Sequence, residues 1–563
     1  MPAPGVLSII HTVHTRATSS SQGDLLLVLH AHLPYVRYPE HGDHLEEAWL
    51  HEAMLESYIP LIRVLEDLLN DGADFRLTLS LTPSLLEMLG DPLLMERFHL
   101  YLDSRTDLAE KELFRTRNDP ELARLARMYH RKFRGIRQFF ECTCKRNLVP
   151  VFRSLERSEK IEFITSAATH AFLPLHMSEP ETLRTQIGLG FSTFQRHFNK
   201  RPSGMWLPEC GYAPGLDTFI TEAGAGYVFL ESHGVLNAVP KPGKSIYRPV
   251  RTPAGLVVYA RDTDSSAQVW SSREGYPGHA DYRDFYRDIG FDLDYGYIRP
   301  YLPGGIRTFT GMKYYRVTGR TENKEWYIPE QGLQRAVQHA EHFMQARDRQ
   351  VLFLRDALRI RPVITAAYDA ELFGHWWYEG PEWLRAVLGS RRIRKRICRF
   401  ITPSEYAAEN NAVETVSPSA SSWGRNGYSA VWLDTSNSWI YRHLKKAIGI
   451  MCRLSRAHGD ATGLLERALN QALRELLLAQ ASDWPFMMKT GNAAGFAEAK
   501  FREHMGNFFD LSRKVSTGEI RQTHLESLEQ RNPLFRDIDF RAFAGHYTAE
   551  HPAGKQKATR EVS

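Results

Sequence analysis

Cysteine is scarce: the 563-residue chain carries five, Cys142, Cys144, Cys210, Cys398 and Cys452. An odd, scattered set in so long a chain is not a disulfide framework. Cys142-Thr143-Cys144 has no second cysteine pair to complete a metal site, so it reads as buried helix thiols. Long apolar runs are also missing, and without a stretch of about 18 apolar residues no segment is read as spanning a membrane. No charge of one sign dominates, with 71 basic against 66 acidic residues for a net charge of +5. No basic block is interleaved with aromatics, so no nucleic-acid partner is expected. Met1 to Gly23 has only a brief apolar run, Val6 to Ile10, and lacks the positive start and long apolar centre of a secretory signal. Cytoplasm is the expected location. No repeat of fixed period is present.

What the chain has in quantity is apolar and aromatic surface. Hydrophobic residues make up 43% of it, with 11 Trp and 24 Tyr. The length allows about three to four domains, or one large barrel with additions.

After a loose tail at 1–23, Asp24 to His32 reads as a buried strand ending in two histidines, Glu46 to Leu69 as a helix and Asp74 to Leu81 as a strand. The alternation stops at about residue 84. From there to about 158 the pattern is helical and charged, an insertion. Asn118-Asp119-Pro120 marks a helix start, and Leu122, Leu125, Tyr129, Phe133, Ile136 and Phe140 recur at helical spacing opposite a solvated face of Arg124, Arg127, Arg131 and Arg134. Strands return at Ile161 to Ser166, Gly204 to Glu209, Tyr227 to Leu230, Gly255 to Arg261 and Val363 to Ala367. Residues 265–330 read as an irregular aromatic excursion forming one wall of a groove, and Gln331 to Leu358 as a helix. Residues 24–420 thus read as an α/β region, and 421–546 as a helical C-terminal domain before a second loose tail, 547–563.

Each short strand ends in a His, Glu, Arg or Asp: His30, His32, His170, Glu209, Arg261 and Asp369. In a barrel of parallel strands those ends share one mouth, where chemistry is assembled. Asp369 and Glu371 leave one face of a strand if the alternation continues, beside His375, Trp376 and Trp377. Two carboxylates beside indole rings suit sugar chemistry, because ring faces stack on pyranoses while a carboxyl group moves a proton. Glu209, between Pro208 and Gly211, is the second carboxylate, and a retaining glycosidase needs such a pair about 5 Å apart. The residues alone leave open which is nucleophile and which acid, or whether either merely caps a turn. His30 and His32, at i and i+2, fit either a metal pair or donors to sugar hydroxyls.

Several stretches together carry a resemblance: His30 to Tyr35, Thr165 to Leu175, Trp206 to Tyr212, Gln268 to Ser272 with Glu274 to Gly278, Tyr368 to Gly380, and Ser421 to Gly424. In this order, from about Leu25 to Phe509, the chain resembles glycoside hydrolase family 57 and, within it, the 1,4-α-glucan branching enzymes. The resemblance implies an incomplete (β/α)7 barrel with a helical insertion and an all-helical C-terminal domain. It implies a retaining mechanism with no metal and no cofactor, acting on an α-1,4-glucan such as amylose, glycogen or starch. It implies Glu209 as nucleophile and Asp369 as proton donor. Arg261, Gly278, Trp423 and Asp483 fall on glucan-contacting positions, and His30, His32, His170 and His375 would line the donor sugar site. Trp270, Trp376, Trp377 and Trp423 would be aromatic walls, and Glu371 a supporting group.

One departure concerns the acceptor. Leu236 to Lys244 is shorter than the mobile loop of those branching enzymes and lacks its tip Tyr, Tyr247 being the nearest. More hydrolysis and less branching is the expectation if that loop shields the intermediate. The rivals are an α-amylase or 4-α-glucanotransferase, a metal-dependent hydrolase using His30 and His32, and a silent glycan-binding protein.

Overall fold

A computed structural model describes residues 21–40, 42, 44–271, 275–321, 323–389, 397–410 and 413–544. Apart from Ser21 to Gly23, the two expected tails lie outside the described residues, as do Ser272 and Glu274. The strands in chain order are β1 (Gly23–Ala31), β2 (Leu77–Leu81), β3 (Ile161–Ile164), β4 (Gly204–Met205), β5 (Tyr227–Leu230), β6 (Val250–Arg251), β7 (Val257–Ala260), β8 (Val363–Asp369), β9 (Cys398–Phe400) and β10 (Glu414–Thr415).

One sheet runs β3-β2-β1-β8 and another β7-β5-β4, all parallel. Two parallel bridges, Thr165 with Met205 and Arg261 with Thr365, join these sheets at both seams. The result is a ring of seven parallel strands, β1-β2-β3-β4-β5-β7-β8, thin at its two seams: an incomplete (β/α)7 barrel. β9 pairs with the first residues of β1, while β6, antiparallel to β7, and β10 lie outside the ring. Strands covered on both faces are largely apolar. β1 shows this, with every residue of GDLLLVLHA buried and only Asp24 and His30 ionisable.

Between β2 and β3 the chain forms the helices Pro83–Leu89, Pro92–Arg115, Pro120–Gln138 and Val149–Glu156. The Asp119 carboxylate caps the third, accepting from the amides of Glu121 and Leu122. Leu125, Tyr129, Phe133 and Ile136 are buried on one side of it, and Arg127, Arg131 and Arg134 are exposed on the other. After β10 the main helices are Trp439–Ala457, Gly463–Ala479, Asp483–Thr490, Ala494–Thr517 and Gln522–Arg531.

Several boundaries differ from expectation. β1 ends at Ala31, because the His32 amide donates to Glu371 Oε1 (3.1 Å) instead of continuing the ladder. β4 stops at Met205, not Glu209: Pro208 has no amide to donate, and Pro208–Cys210 winds into a 3-10 turn. β8 runs on to Asp369, then gives way to a 3-10 turn at Ala370–Leu372. The two-residue alternation expected to bring Asp369 and Glu371 out on one face therefore does not reach Glu371. The excursion from 265 opens in a helix, Thr263–Trp270, because Asp262 caps it through the Ser265 amide (2.8 Å). Cys144 is buried, but Cys142 is exposed.

Candidate active site

The register of the barrel builds the site. His30 of β1 lies level with Ser80 of β2 on one side and with Asp369 of β8 on the other. Three adjacent strands thus present a hydroxyl, an imidazole and a carboxyl in one row at their C-terminal ends. Glu209 follows β4, and Arg261 follows β7.

Glu209 sits in the left-handed region, φ 60° and ψ 22°, and Cys210 (φ 51°) and His170 (φ 56°) share it. L-residues held there cost about 1–3 kcal/mol each and persist only where their surroundings enforce them. Here Gly211 permits the close packing, since a Cβ at that position would lie 2.6 Å from the Phe172 ring. Trp423 locks Glu209 twice: its amide donates to the Glu209 carbonyl (3.0 Å) and its indole Nε1–H to Oε2 (2.7 Å). The Ser482 hydroxyl donates to Oε1 (2.8 Å).

Behind Ser482 runs a chain of side chains. His170 Nδ1 meets Ser482 Oγ (2.9 Å), His170 Nε2 meets His30 Nε2 (3.1 Å), and His30 Nδ1 meets Ser80 Oγ (3.0 Å). Burial holds both imidazoles well below their usual pKa, His32 adding to it, so each is neutral, with one donor and one acceptor nitrogen. With Glu209 ionised, the Ser482 proton is committed to it, and every other direction follows. His170 Nδ1–H donates to Ser482, His30 Nε2–H donates to His170, and Ser80 donates to His30. His30 also stacks on the buried Trp206 at 4.8 Å.

His32 is different. Its ring stacks on His170 at 3.7 Å, Nδ1 meets Thr82 Oγ1 (3.1 Å), and Nε2 meets both oxygens of Asp483 (3.1 and 3.2 Å). Burial pulls its pKa down, but the Asp483 charge and hydrogen bond, with Glu209 and Glu371, outweigh that and raise it. His32 is thus pushed toward its charged form, and the charge acts on both Glu209 and Asp369.

Burial raises the carboxyl groups: Glu209 to about 7, Asp369 to about 6 and Glu371 to about 7. The donors from Trp423 and Ser482, then His32, oppose the rise at Glu209, whereas Asp483 adds to it. At Asp369 only the Arg261 and His32 charges oppose it, and among the described residues no donor reaches the carboxyl. The order of the two values alone would favour a charged Asp369. The two differ in their hydrogen bonding: Glu209 accepts at both oxygens, as a carboxylate does, and Asp369 accepts at neither. Glu371 is held by the Tyr58 hydroxyl (2.5 Å) and the His32 amide, next to Asp369.

Arg261 ties the two sides together. Its guanidinium pairs with Glu231, donates to the Ala367 carbonyl (3.1 Å) and lies 5.2 Å above the Trp423 ring. His375 donates from Nδ1 to Glu56 (2.7 Å), which burial alone would raise but which His375 and Arg283 bring down to about 2. Gly374, at φ 108°, lets this turn approach: a Cβ there would lie 1.9 Å from the Glu56 carbonyl. Trp376 is 54% exposed beside it, while Trp377 is buried. Trp270 is 63% exposed at a helix end, and Gly278 sits in the turn Tyr276–Gly278. Among the described residues no hydrogen bond or ring contact ties Trp270 or Gly278 to the carboxylates. No group of three or more His, Cys, Asp and Glu that could hold a metal ion occurs among the described residues.

Sequence reasoning missed Ser80, Thr82, Ser482, Tyr58, Glu56 and Glu231. Ser80 and Thr82, at i and i+2 on a strand end next to the histidine strand, were the one readable signal.

The loop after β5 does not lie over this mouth. Val239 pairs with Ser417 through two backbone bonds (3.0 and 2.8 Å), the Gly243 amide donates to Glu414, and Lys244 donates to the Leu358 carbonyl. The Tyr247 hydroxyl is turned to Asp262 (3.4 Å).

The sequence model described as glycosyl hydrolase family 57 matches residues 26–418. The chain belongs to glycosyl hydrolase family 57. A second model, 1,4-alpha-glucan branching enzyme, C-terminal, matches residues 443–543 of this family-57 chain. It is 31% identical to a 1,4-alpha-glucan branching enzyme of Thermococcus kodakarensis, over 94% of this chain and 79% of that protein. Among solved structures it is similar to the alpha-amylase AmyC of Thermotoga maritima (39% identity, 93% of this chain and 100% of that one, TM-score 0.87). It is also similar to the family-57 branching enzyme of Pyrococcus horikoshii (30% identity, 94% and 98%, TM-score 0.83).

Proposed function

We propose that this family-57 chain is a retaining 1,4-α-glucan branching enzyme, with Glu209 as nucleophile and Asp369 as acid/base. The observation that carries the reading is the asymmetry of the two carboxyl groups. Glu209 receives donors on both oxygens, which suits a carboxylate that attacks, and Asp369 receives none, which suits a group that must hold a proton. Glu209 attacks the anomeric carbon of an α-1,4-linked glucose while Asp369 protonates the departing oxygen, leaving a glycosyl ester on Glu209. A glucan 6-hydroxyl, deprotonated by Asp369, then attacks that carbon, forms the α-1,6 bond and frees the Glu209 carboxylate. Transfer outruns hydrolysis where water is held off and the acceptor is positioned.

Arg261, Trp423, His30, His32, His170, His375, Trp376 and, through His32, Asp483 serve substrate binding in this reading; Trp270 and Gly278 belong to outer walls. The division into a barrel region 24–420 with its insertion 84–158 and a helical region 421–546 is part of the proposal. So are a cytoplasmic location, a role in glycogen synthesis and the lack of nucleic-acid partners. Among the described residues no helix is long and apolar enough to cross a membrane.

The short loop tied down at Ser417, Glu414 and Leu358 favours one second reading, an α-amylase of the same family. Proton NMR of products from amylose decides between them. New α-1,6 anomeric signals are expected, and reducing sugar without new linkages would replace branching by hydrolysis.

A further inference from the structure

Beyond the carboxylate mouth lies a strip of aromatic rings. Phe285 stacks on Trp376 (4.5 Å, 24° between planes), and meets Tyr286 at 5.3 Å and Phe309 at 5.4 Å; Phe309 meets Phe291 at 5.4 Å. The outer rings face solvent: Trp376 is 54%, Tyr286 76% and Phe291 44% exposed. One face of the Trp376 indole is taken by Phe285, which leaves the other open.

What lies beneath the strip is unusual. Lys313 is 1% exposed, and its ammonium stands 4.1 Å from the centres of both the Phe285 and Phe309 rings while donating to the Phe285 carbonyl (2.6 Å). The Arg283 guanidinium and the buried carboxyl groups of Glu56, Asp288 and Glu52 act on it. Taking such a set of charges out of water is costly, and an apolar floor would be cheaper. A cation shared between two ring faces, however, fixes the angle of both rings at once. The same cluster reaches the catalytic end: Glu56 accepts from His375, and the Trp376 amide donates to the carbonyl of Glu371 (3.3 Å). The strip therefore starts at Trp376, next to His375.

We propose that this strip, from Trp376 through Phe285 and Phe309 to Tyr286 and Phe291, is an extended docking site for a neutral α-glucan chain. It rests on the α-glucan reading above and goes beyond it by naming where chain outside the carboxylate groove is held. Pyranose rings offer flat C–H faces to aromatic faces and hydroxyls to solvent, so a row of rigid, half-exposed rings suits a polysaccharide. Continuity with the mouth makes the occupant a glucan segment.

The test uses the full chain carrying Glu209→Gln, so that the polymer is not consumed, in native affinity electrophoresis through gels containing soluble amylopectin. The parent is expected to be retarded. Adding Tyr286→Ala and Phe291→Ala should demand at least about tenfold more amylopectin for the same retardation, the loss of two stacked rings. Phe353→Ala, which removes a 71% exposed ring from the helix Pro329–Leu358, should migrate like the parent. Unchanged thermal midpoints confirm folding, and Tyr286→Ala alone repeats the test at the more exposed position. Retardation unaffected by these substitutions overturns the proposal, as does a parent that amylopectin does not retard. So does a dimer peak in size exclusion that the substitutions abolish while retardation stays the same, which would make the strip a self-association face. Product NMR of the active chain is read separately. New α-1,6 signals with unaltered retardation remove the platform and leave the transferase; lost retardation without α-1,6 signals does the reverse.

Discussion

Replacing Ser482 by alanine tests the electrostatics of the site through a single proton. The Ser482 hydroxyl is one of two donors on the Glu209 carboxyl, at 2.8 Å, and the Trp423 indole at 2.7 Å is the other. Burial is the largest influence on Glu209 and has already brought it to about 7. A hydrogen bond to a charged group contributes roughly 1.5–3 kcal/mol, and about 1.36 kcal/mol corresponds to one pKa unit. Removing the donor should thus raise the carboxyl by about one to two units. The ionised form then appears only at higher pH; because Glu209 (about 7) already lies above Asp369 (about 6), it is the basic limb of the kcat/KM profile for amylose cleavage that moves up by that amount, while the plateau falls. The groups facing Glu209 that remain are His170, His32, Asp483 and Trp423, so the shift is read against an otherwise intact set. Ser482→Thr keeps the hydroxyl and should restore the limb. Iodine-binding loss of amylose, followed from pH 5 to 9, measures it. A lower rate with an unmoved basic limb, or a basic limb moved downward, refutes the reasoning.

Other outcomes follow from the same geometry. Asp369→Asn should abolish turnover of amylose yet spare transfer of the glycosyl group from an aryl maltooside with a good leaving group, with azide accelerating release; Glu209→Gln should lose both, by chromatography of the products. Arg261→Met removes the charge that opposes the rise at Asp369, so the acid limb of the pH profile, which breaks at the lower of the two carboxyl values, should move to higher pH. Glu52 is buried, and desolvation with the Glu56 charge raises it to about 8. Its folded pKa lies above its unfolded one, so its contribution is present at low pH and lost as pH rises through about 8. Glu52→Gln should therefore melt higher than the parent above that pH, by on the order of a few kcal/mol, and the gain should vanish near pH 5.

Strand ends were legible because they depend on local pattern. The buried run before His30, the Trp206-to-Tyr212 stretch and the run into Asp369 mark themselves by apolar period and punctuation, and a parallel barrel brings such ends to one mouth whatever its helices do. The helical insertion was readable for the same reason: the apolar stripe of Leu125, Tyr129, Phe133 and Ile136 needs no partner to be seen. Strand limits were harder, since pairing depends on the neighbour: β8 reaches Asp369 because His30 lies beside it, and β4 stops because Pro208 has nothing to donate.

The amino-acid order by itself determined the family and the barrel, because their motifs and strands are written in contiguous residues, and it proposed the two carboxyl groups. Only the tertiary structure decided how Glu209 is held, since Ser482 lies 273 residues from it and Trp423 214 residues from it. It also decided that Asp483 pushes His32 toward its charged form while burial pushes His30 and His170 toward neutral. Burial and hydrogen bonding set a proton's place, and both are properties of what the folded chain brings within about 3 Å, which no local stretch of sequence contains.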